Sequence, residues 1–263
     1  MLIDLAVNPF DAEVGWMVEM AVAAEATGFS AVWVADHFSG AVVDRRWSRD
    51  PFVSLGAIAA STTRLDLGVL VANMRNRHPA QLASAVNSLQ SLAPGRVRLG
   101  IGSGAVPESR FASEHEAIGT DLGDAAARRV ALADSIGALR AIWSGERDHA
   151  VSSSARFVGL DGIVDGAETP PIIVGASAWP TIEVALACAD GVNLRWSAAL
   201  PAVLERLDRA RGRAFEVSVL GAYDDLAGDP VQLAALADAG VDRVVLGISA
   251  PHDPADVRPV VEQ

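Results

Sequence analysis

Asp36-His37 closes a short apolar run, Ala31-Val32-Trp33-Val34-Ala35, and His37 is the side chain best suited to move a proton near neutrality. A structural reading stands beside it, in which the pair ties a strand to its loop. Asn73 follows a second apolar run, Leu67–Val71, and Arg75 and Arg77 come just after it. Two arginines at that spacing either hold an anion or face solvent. Gly102-Ser103-Gly104 follows a third run and bares the backbone to a ligand, although glycines there also serve a tight strand-to-helix turn. Gly175-Ala176-Ser177 follows a fourth, and Ser177 either offers a hydroxyl and helix N–H groups to a phosphate or simply caps the helix. His78, directly before Pro79, reads as a cap rather than a catalyst. No Cys/His group has metal-ligand spacing, and neither a Gly-x-Ser-x-Gly elbow nor a phosphate-loop lysine motif is present, so no metal is expected.

These residues need strands that all end on one side. Apolar runs predict strands at Leu2–Val7, Ala31–Ala35, Leu65–Val71, Val97–Ile101, Pro171–Gly175, Gly191–Trp196, Phe215–Leu220 and Val241–Gly247. Helical spacing predicts Val14–Thr27, Pro51 to about Thr63, Pro79–Leu92, Asp121–Trp143, Pro180–Ala189, Leu200–Arg211, Pro230–Ala239 and a last helix in Pro254–Glu262. Gly145–Thr169, with Ser152-Ser153-Ser154 and Gly166, reads as an excursion holding a small hairpin. Eight strands alternating with helices is the arithmetic of a closed (β/α)8 TIM barrel. An open doubly wound sheet is the alternative, but it wants a Gly-x-Gly-x-x-Gly turn that follows neither the first nor the second strand. In a barrel, Asp36, His37, Asn73, Gly102, Ser103, Gly104, Gly175, Ala176, Ser177, Arg195, Trp196, Tyr223 and Asp224 would open onto one mouth.

The totals agree with one domain spanning 1–263. Hydrophobic residues make up 51% and charged residues 21%, enough for a large core. A net charge of −12 argues against binding nucleic acid backbones. One cysteine, Cys188, admits no internal disulfide and suits a reducing cytoplasm as a packed thiol. The opening Met1-Leu2-Ile3-Asp4 has no basic region before its apolar run, and no apolar run is long enough to cross a bilayer, so neither signal peptide nor membrane is expected.

Ala24 through His37 resembles the second-strand signature of the bacterial luciferase-like superfamily. Arg77-His78-Pro79, Pro94-Gly95-Arg96 and Leu99 through Gly104 resemble its central block. Pro171 through Ser177, Ala189 through Val192, and Gly228 through Asp242 resemble its later blocks, in the family's order. The resemblance implies a barrel that binds the deazaflavin F420 or, alternatively, FMN. It implies a non-proline cis peptide at Leu70-Val71 that bulges behind the cofactor's ring, Asn73 at the ring's polar edge, and cofactor contacts from Asp36 and from the Gly102–Gly104 and Gly175–Ser177 turns. It also implies an active-site role for His37.

Three departures stand out. Ala105 replaces a glutamate that several F420-dependent members carry after the fourth-strand glycine, and Glu108 is not an obvious substitute. Trp179, in Ala178-Trp179-Pro180, could crowd a phosphate. The family's insertion after strand seven shrinks to about Gly221–Gly228. The expected activity is hydride transfer between F420 and a small organic substrate. FMN-dependent monooxygenation and a non-catalytic ligand-binding barrel are the alternatives. A small-molecule substrate is the expected partner; a homodimer is admitted but not specified.

Overall fold

The computed structural model describes residues 1–150, 155–164, 168–211 and 214–258. Its chain order is β1 (Leu2–Val7), α1 (Val14–Ala26), β2 (Ala31–Val34), α2 (Pro51–Ser61), β3 (Asp66–Asn73), α3 (Pro79–Leu92), β4 (Val97–Gly102), α4 (Ser113–Ala117), α5 (Ala125–Trp143), β5 (Ile172–Gly175), α6 (Trp179–Cys188), β6 (Gly191–Arg195), α7 (Leu200–Ala210), β7 (Glu216–Ala222), α8 (Tyr223–Leu226), α9 (Pro230–Asp238) and β8 (Arg243–Ile248). The eight strands pair in parallel and in sequence order, and β8 closes on β1 with Leu2 opposite Arg243 and Val7 opposite Ile248. Most strand residues are buried because helices cover the sheet outside and side chains fill it inside.

Local chemistry sets the helix starts. Asp50 accepts hydrogen bonds from the Phe52 and Val53 N–H groups, and Pro51 occupies the first turn of α2. His78 caps α3 by accepting from the Ala80 N–H, with Gln81 returning a contact to the His78 N–H, as its place before Pro79 predicts. Asp124, rather than Asp121, caps α5, so that helix starts later than its spacing suggests. Two short helices, α4 and α8, were not legible as periodic segments. The last predicted helix is a 3-10 turn at Pro254–Asp256; residues 259–263 lie outside the described ones. The excursion after α5 holds one antiparallel bridge, His149 to Phe157; Ser152, Ser153, Ser154 and Gly166 lie outside the described residues.

Inside the barrel, Trp33, Leu70, Ile173, Val245 and Ala31 form a dry cluster. Gly68 is required beside Trp33, since a Cβ there would sit 2.4 Å from the indole ring. Beneath this cluster, at the N-terminal ends of the strands, lies an ionic plug. Arg243 grips buried Asp4 with bonds of 2.9 and 3.1 Å, Glu216 at 3.1 Å and Asp66 at 3.3 Å. Arg98 adds a 2.6 Å bond to Glu216, and Trp33 Nε1 donates to Asp4. At the other end, the β3–β4 register shifts between Val69 and Ala72, and the Leu70-Val71 peptide is cis, where the family resemblance places it. Only α8 and a short turn separate β7 from α9, which matches the shortened insertion. Cys188 is half-buried and donates to the Val184 carbonyl rather than lying deep in the core. Among the described residues no helix is long and apolar enough to cross a membrane.

Candidate active site

Strand direction brings the predicted residues to one mouth, because all eight strands run the same way. Asp36, at the end of β2, is buried and accepts the Asn73 backbone N–H at 3.0 Å. This bond stitches the end of β2 to the end of β3. Arg77 then clamps Asp36 with two parallel bonds and reaches Asp50 at 2.7 Å. The reading of Arg75 and Arg77 as an anion-holding pair is therefore corrected. Arg77 is spent on two carboxylates, and Arg75 Nη2 donates to the Asp121 carbonyl. Burial alone would weaken the Arg77 cation, but its bonds to Asp36 and Asp50 outweigh that and raise its pKa further.

His37 lines an open cavity of about 570 Å3 shared with Asp36, Phe38, Ser48, Asp50 and Arg77, among others. Its ring lies between Phe10 and Phe111, at centroid distances of 5.4 and 5.5 Å. Its Nδ1 stands 2.5 Å from Glu114 Oε1. The other oxygen of Glu114 accepts the Phe38 and Ser39 N–H groups at 2.7 and 3.0 Å. Glu114 is 1% exposed, and burial opposes its ionisation. The hydrogen bond and charge of His37 and the two backbone donors win, and hold the carboxyl below the ordinary glutamate range. Sequence reasoning looked for a carboxylate directly after β4, found Ala105, and missed Glu114. The signal was faint: a carboxylate beside a histidine in Ser113-Glu114-His115, on a short helix with no amphipathic period.

His115, the next residue, is fully buried, with Nε2 3.0 Å from Asn73 Nδ2. Burial, aided by the nearby Arg75 charge and resisted by Glu114, lowers its pKa and keeps it neutral. Asn73 Oδ1 accepts the Arg75 N–H at 3.0 Å. Asn73 is thus fixed at both ends of its amide.

The glycines serve the protein's own packing. A Cβ on Gly102 would meet Val71 Cγ2 at 2.7 Å, and one on Gly175 would meet Val71 Cγ1 at 2.8 Å. Val71, half-buried over the interior cluster, is seated by these two bare positions and forms an apolar step toward the C-terminal end of β3. Gly104 has φ +90° and faces the Arg75 side chain, so it is a turn glycine. Ala176 donates its N–H to Asn193, while Ser177 is exposed at the same end. The residue capping α6 is Ala178, which makes no side-chain cap, so Ser177 is not the cap. Trp179 is drawn onto the α6–α7 surface, with Arg206 over its ring at 3.6 Å and its Nε1 on Glu183. Among the described residues no group of three or more His, Cys, Asp or Glu side chains could hold a metal.

The family model described as "Luciferase-like monooxygenase" matches residues 8–223. The chain belongs to that luciferase-like family. Within it, the chain is 31% identical over 216 residues to an F420-dependent glucose-6-phosphate dehydrogenase of Nakamurella multipartita, covering 78% of this chain and 61% of that protein. It is 32% identical over 179 residues to an F420-dependent hydroxymycolic acid dehydrogenase of Mycobacterium tuberculosis, covering 66% of this chain and 47% of that protein. The chain thus spans about half to three fifths of the length of these curated relatives. In fold it is similar to an F420-dependent secondary alcohol dehydrogenase in complex with an F420-acetone adduct, with TM-score 0.77, 18% identity, and coverage of 95% of this chain and 94% of that one.

Proposed function

We propose that this luciferase-like protein is an oxidoreductase that binds F420 and transfers a hydride between it and a small organic substrate, with His37 handling the accompanying proton. The observation that carries this reading is His37, braced by Glu114 at 2.5 Å, at the mouth where Val71 forms an apolar step. The F420-dependent relatives at about 30% identity favour F420 over FMN.

The residues fit such a cofactor. Val71, seated against Gly102 and Gly175 with Leu70 buried beneath it, would offer a half-buried apolar support for a ring. Asp36 and Asn73 brace the strand ends beside it through their bonds to Arg77, Arg75 and His115, and Ser103 and Gly104 follow the end of β4 at the same mouth. Gly175, Ala176 and Ser177 lead into the N-terminus of α6, which no side chain caps and which would present its Trp179 N–H to an anionic tail; Ala176 and Thr181 already donate within the protein and Pro180 has no N–H. Bound F420 would supply the hydride-carrying ring; the chain supplies orientation and proton handling. His37 takes the proton of a substrate hydroxyl on oxidation and returns it on reduction. Phe10 and Phe111 pack against the imidazole and hold it in place.

The same reading takes residues 1–263 as one domain working in the cytoplasm, where a single cysteine stays reduced. Exposed Val53 on α2 and Leu92 at the end of α3 suit a homodimer, which sedimentation would test. The activity is tested by following F420 absorbance with secondary alcohols and sugars, and with reduced F420 and carbonyl compounds. Turnover lost in His37→Ala supports the reading. Oxygen-dependent turnover with reduced FMN, and none with F420, places the protein among monooxygenases instead.

A further inference from the structure

We propose that Glu114 is a positioning residue that keeps a proton on His37 Nδ1 and so confines proton exchange at His37 to Nε2. The inference rests on His37 being the proton carrier. It follows from counting donors. The Phe38 and Ser39 N–H groups can only donate, and both donate to Glu114 Oε2. The remaining oxygen faces His37 Nδ1 at 2.5 Å. An ionised carboxylate only accepts, so Nδ1 must carry hydrogen whether the imidazole is neutral or charged. The proton that leaves a substrate hydroxyl then has one nitrogen to go to, Nε2, and no other bond at His37 changes.

The neighbouring residue follows the same logic. The Arg75 N–H fixes Asn73 Oδ1, so Asn73 Nδ2 must be the group facing His115 Nε2. His115 is therefore an acceptor at Nε2, which leaves the proton of its neutral ring on Nδ1, a buried atom with no hydrogen-bond partner among the described residues. The five-residue α4 thus supplies consecutive partners to two residues of the site, Glu114 to His37 and His115 to Asn73.

Glu114→Gln separates positioning from mere support. The Gln carbonyl oxygen must face the Phe38 and Ser39 donors, so its NH2 group faces Nδ1 and turns that nitrogen into an acceptor. The neutral imidazole then carries its proton on Nε2 and loses its base. Long-range 1H–15N correlation spectra of the histidine rings, recorded without cofactor above the imidazole titration range, read this directly. The His37 signals are assigned by their loss in His37→Asn. The expected result is a protonated Nδ1 and a bare Nε2 in the wild type, and the reverse in Glu114→Gln. With a substrate, kcat of that variant falls about tenfold or more while KM changes little. A wild-type His37 protonated on Nε2 overturns the proposal even if the variant does not fold, and so does an unchanged tautomer in the variant. These spectra need no F420, so a protein that binds no F420 but keeps Nδ1 protonated retains the positioning and loses the cofactor assignment.

Discussion

Arg77 grips Asp36 through two parallel bonds, Nε to Oδ2 at 3.1 Å and Nη2 to Oδ1 at 3.0 Å. Because Asp36 also holds the Asn73 N–H, this pair fixes the strand end from which His37 projects. Arg77→Ala leaves the nearly buried Asp36 carboxylate without its cation. With Arg77 itself a quarter exposed, the expected loss of unfolding free energy is about 3 kcal/mol, the lower end for breaking a buried pair. Arg77→Lys restores the charge but not the fork, and recovers only part of the loss in urea denaturation.

Val71 and its two glycines make a packing prediction. Gly102→Ala drives a methyl to 2.7 Å from Val71, whose branched side chain cannot swing away easily. The expected cost is about 1–3 kcal/mol. Val71→Ala in the same chain should recover much of it, so a double-mutant cycle shows strong coupling. Additive losses would mean that Val71 is not what Gly102 accommodates.

How much of this could be read from the sequence differs by element. The strands were legible because burial on both faces makes them near-continuous apolar runs, and α3 was legible at both ends because Pro79 and the His78 cap mark its start. The shared mouth followed from parallel strands alone. Pairings across the chain were not legible: Asp36, Asp50 and Arg77 meet only when the loops after β2 and β3 close together. Glu114 was hidden for a similar reason. It reaches His37 across 77 positions, from a one-turn helix whose side chains follow no period. The sequence offers Gly102 as a close approach for a ligand or as part of a tight turn; that a missing Cβ at Gly102 and at Gly175 makes room for Val71 is a packing relation no local motif carries.

Acid should expose the Glu114 contribution. Its folded-state pKa lies below the ordinary value, chiefly because the His37 and backbone bonds overcome burial, and Asp50 is lowered by Arg77 against burial in the same way. Stability from such groups is fully present above the unfolded carboxylate range, about pH 4, and is lost as pH falls through the folded values. Asp4 and Asp66 act with the opposite sign, because burial raises them despite Arg243. The difference between wild type and Glu114→Gln isolates the first effect. It should be largest near neutrality and shrink below about pH 4. A difference independent of pH would contradict an ionised Glu114.

His37→Ala should lower turnover by about 10²–10⁴-fold, the scale of a lost acid–base group. It should also lower the melting temperature, since Glu114 stays buried without its imidazole partner. The rate must therefore be taken per folded molecule. A stability loss with unchanged turnover would make the residue a tie between loop and helix only.

The most direct measurement of the central claim is an equilibrium titration of the purified protein with F420 and, separately, with FMN, followed by cofactor fluorescence. The account predicts saturable one-site binding of F420, tighter than FMN, and weakened by a bulky substitution such as Val71→Trp at the apolar step. FMN binding more tightly than F420, or neither cofactor binding, would contradict it.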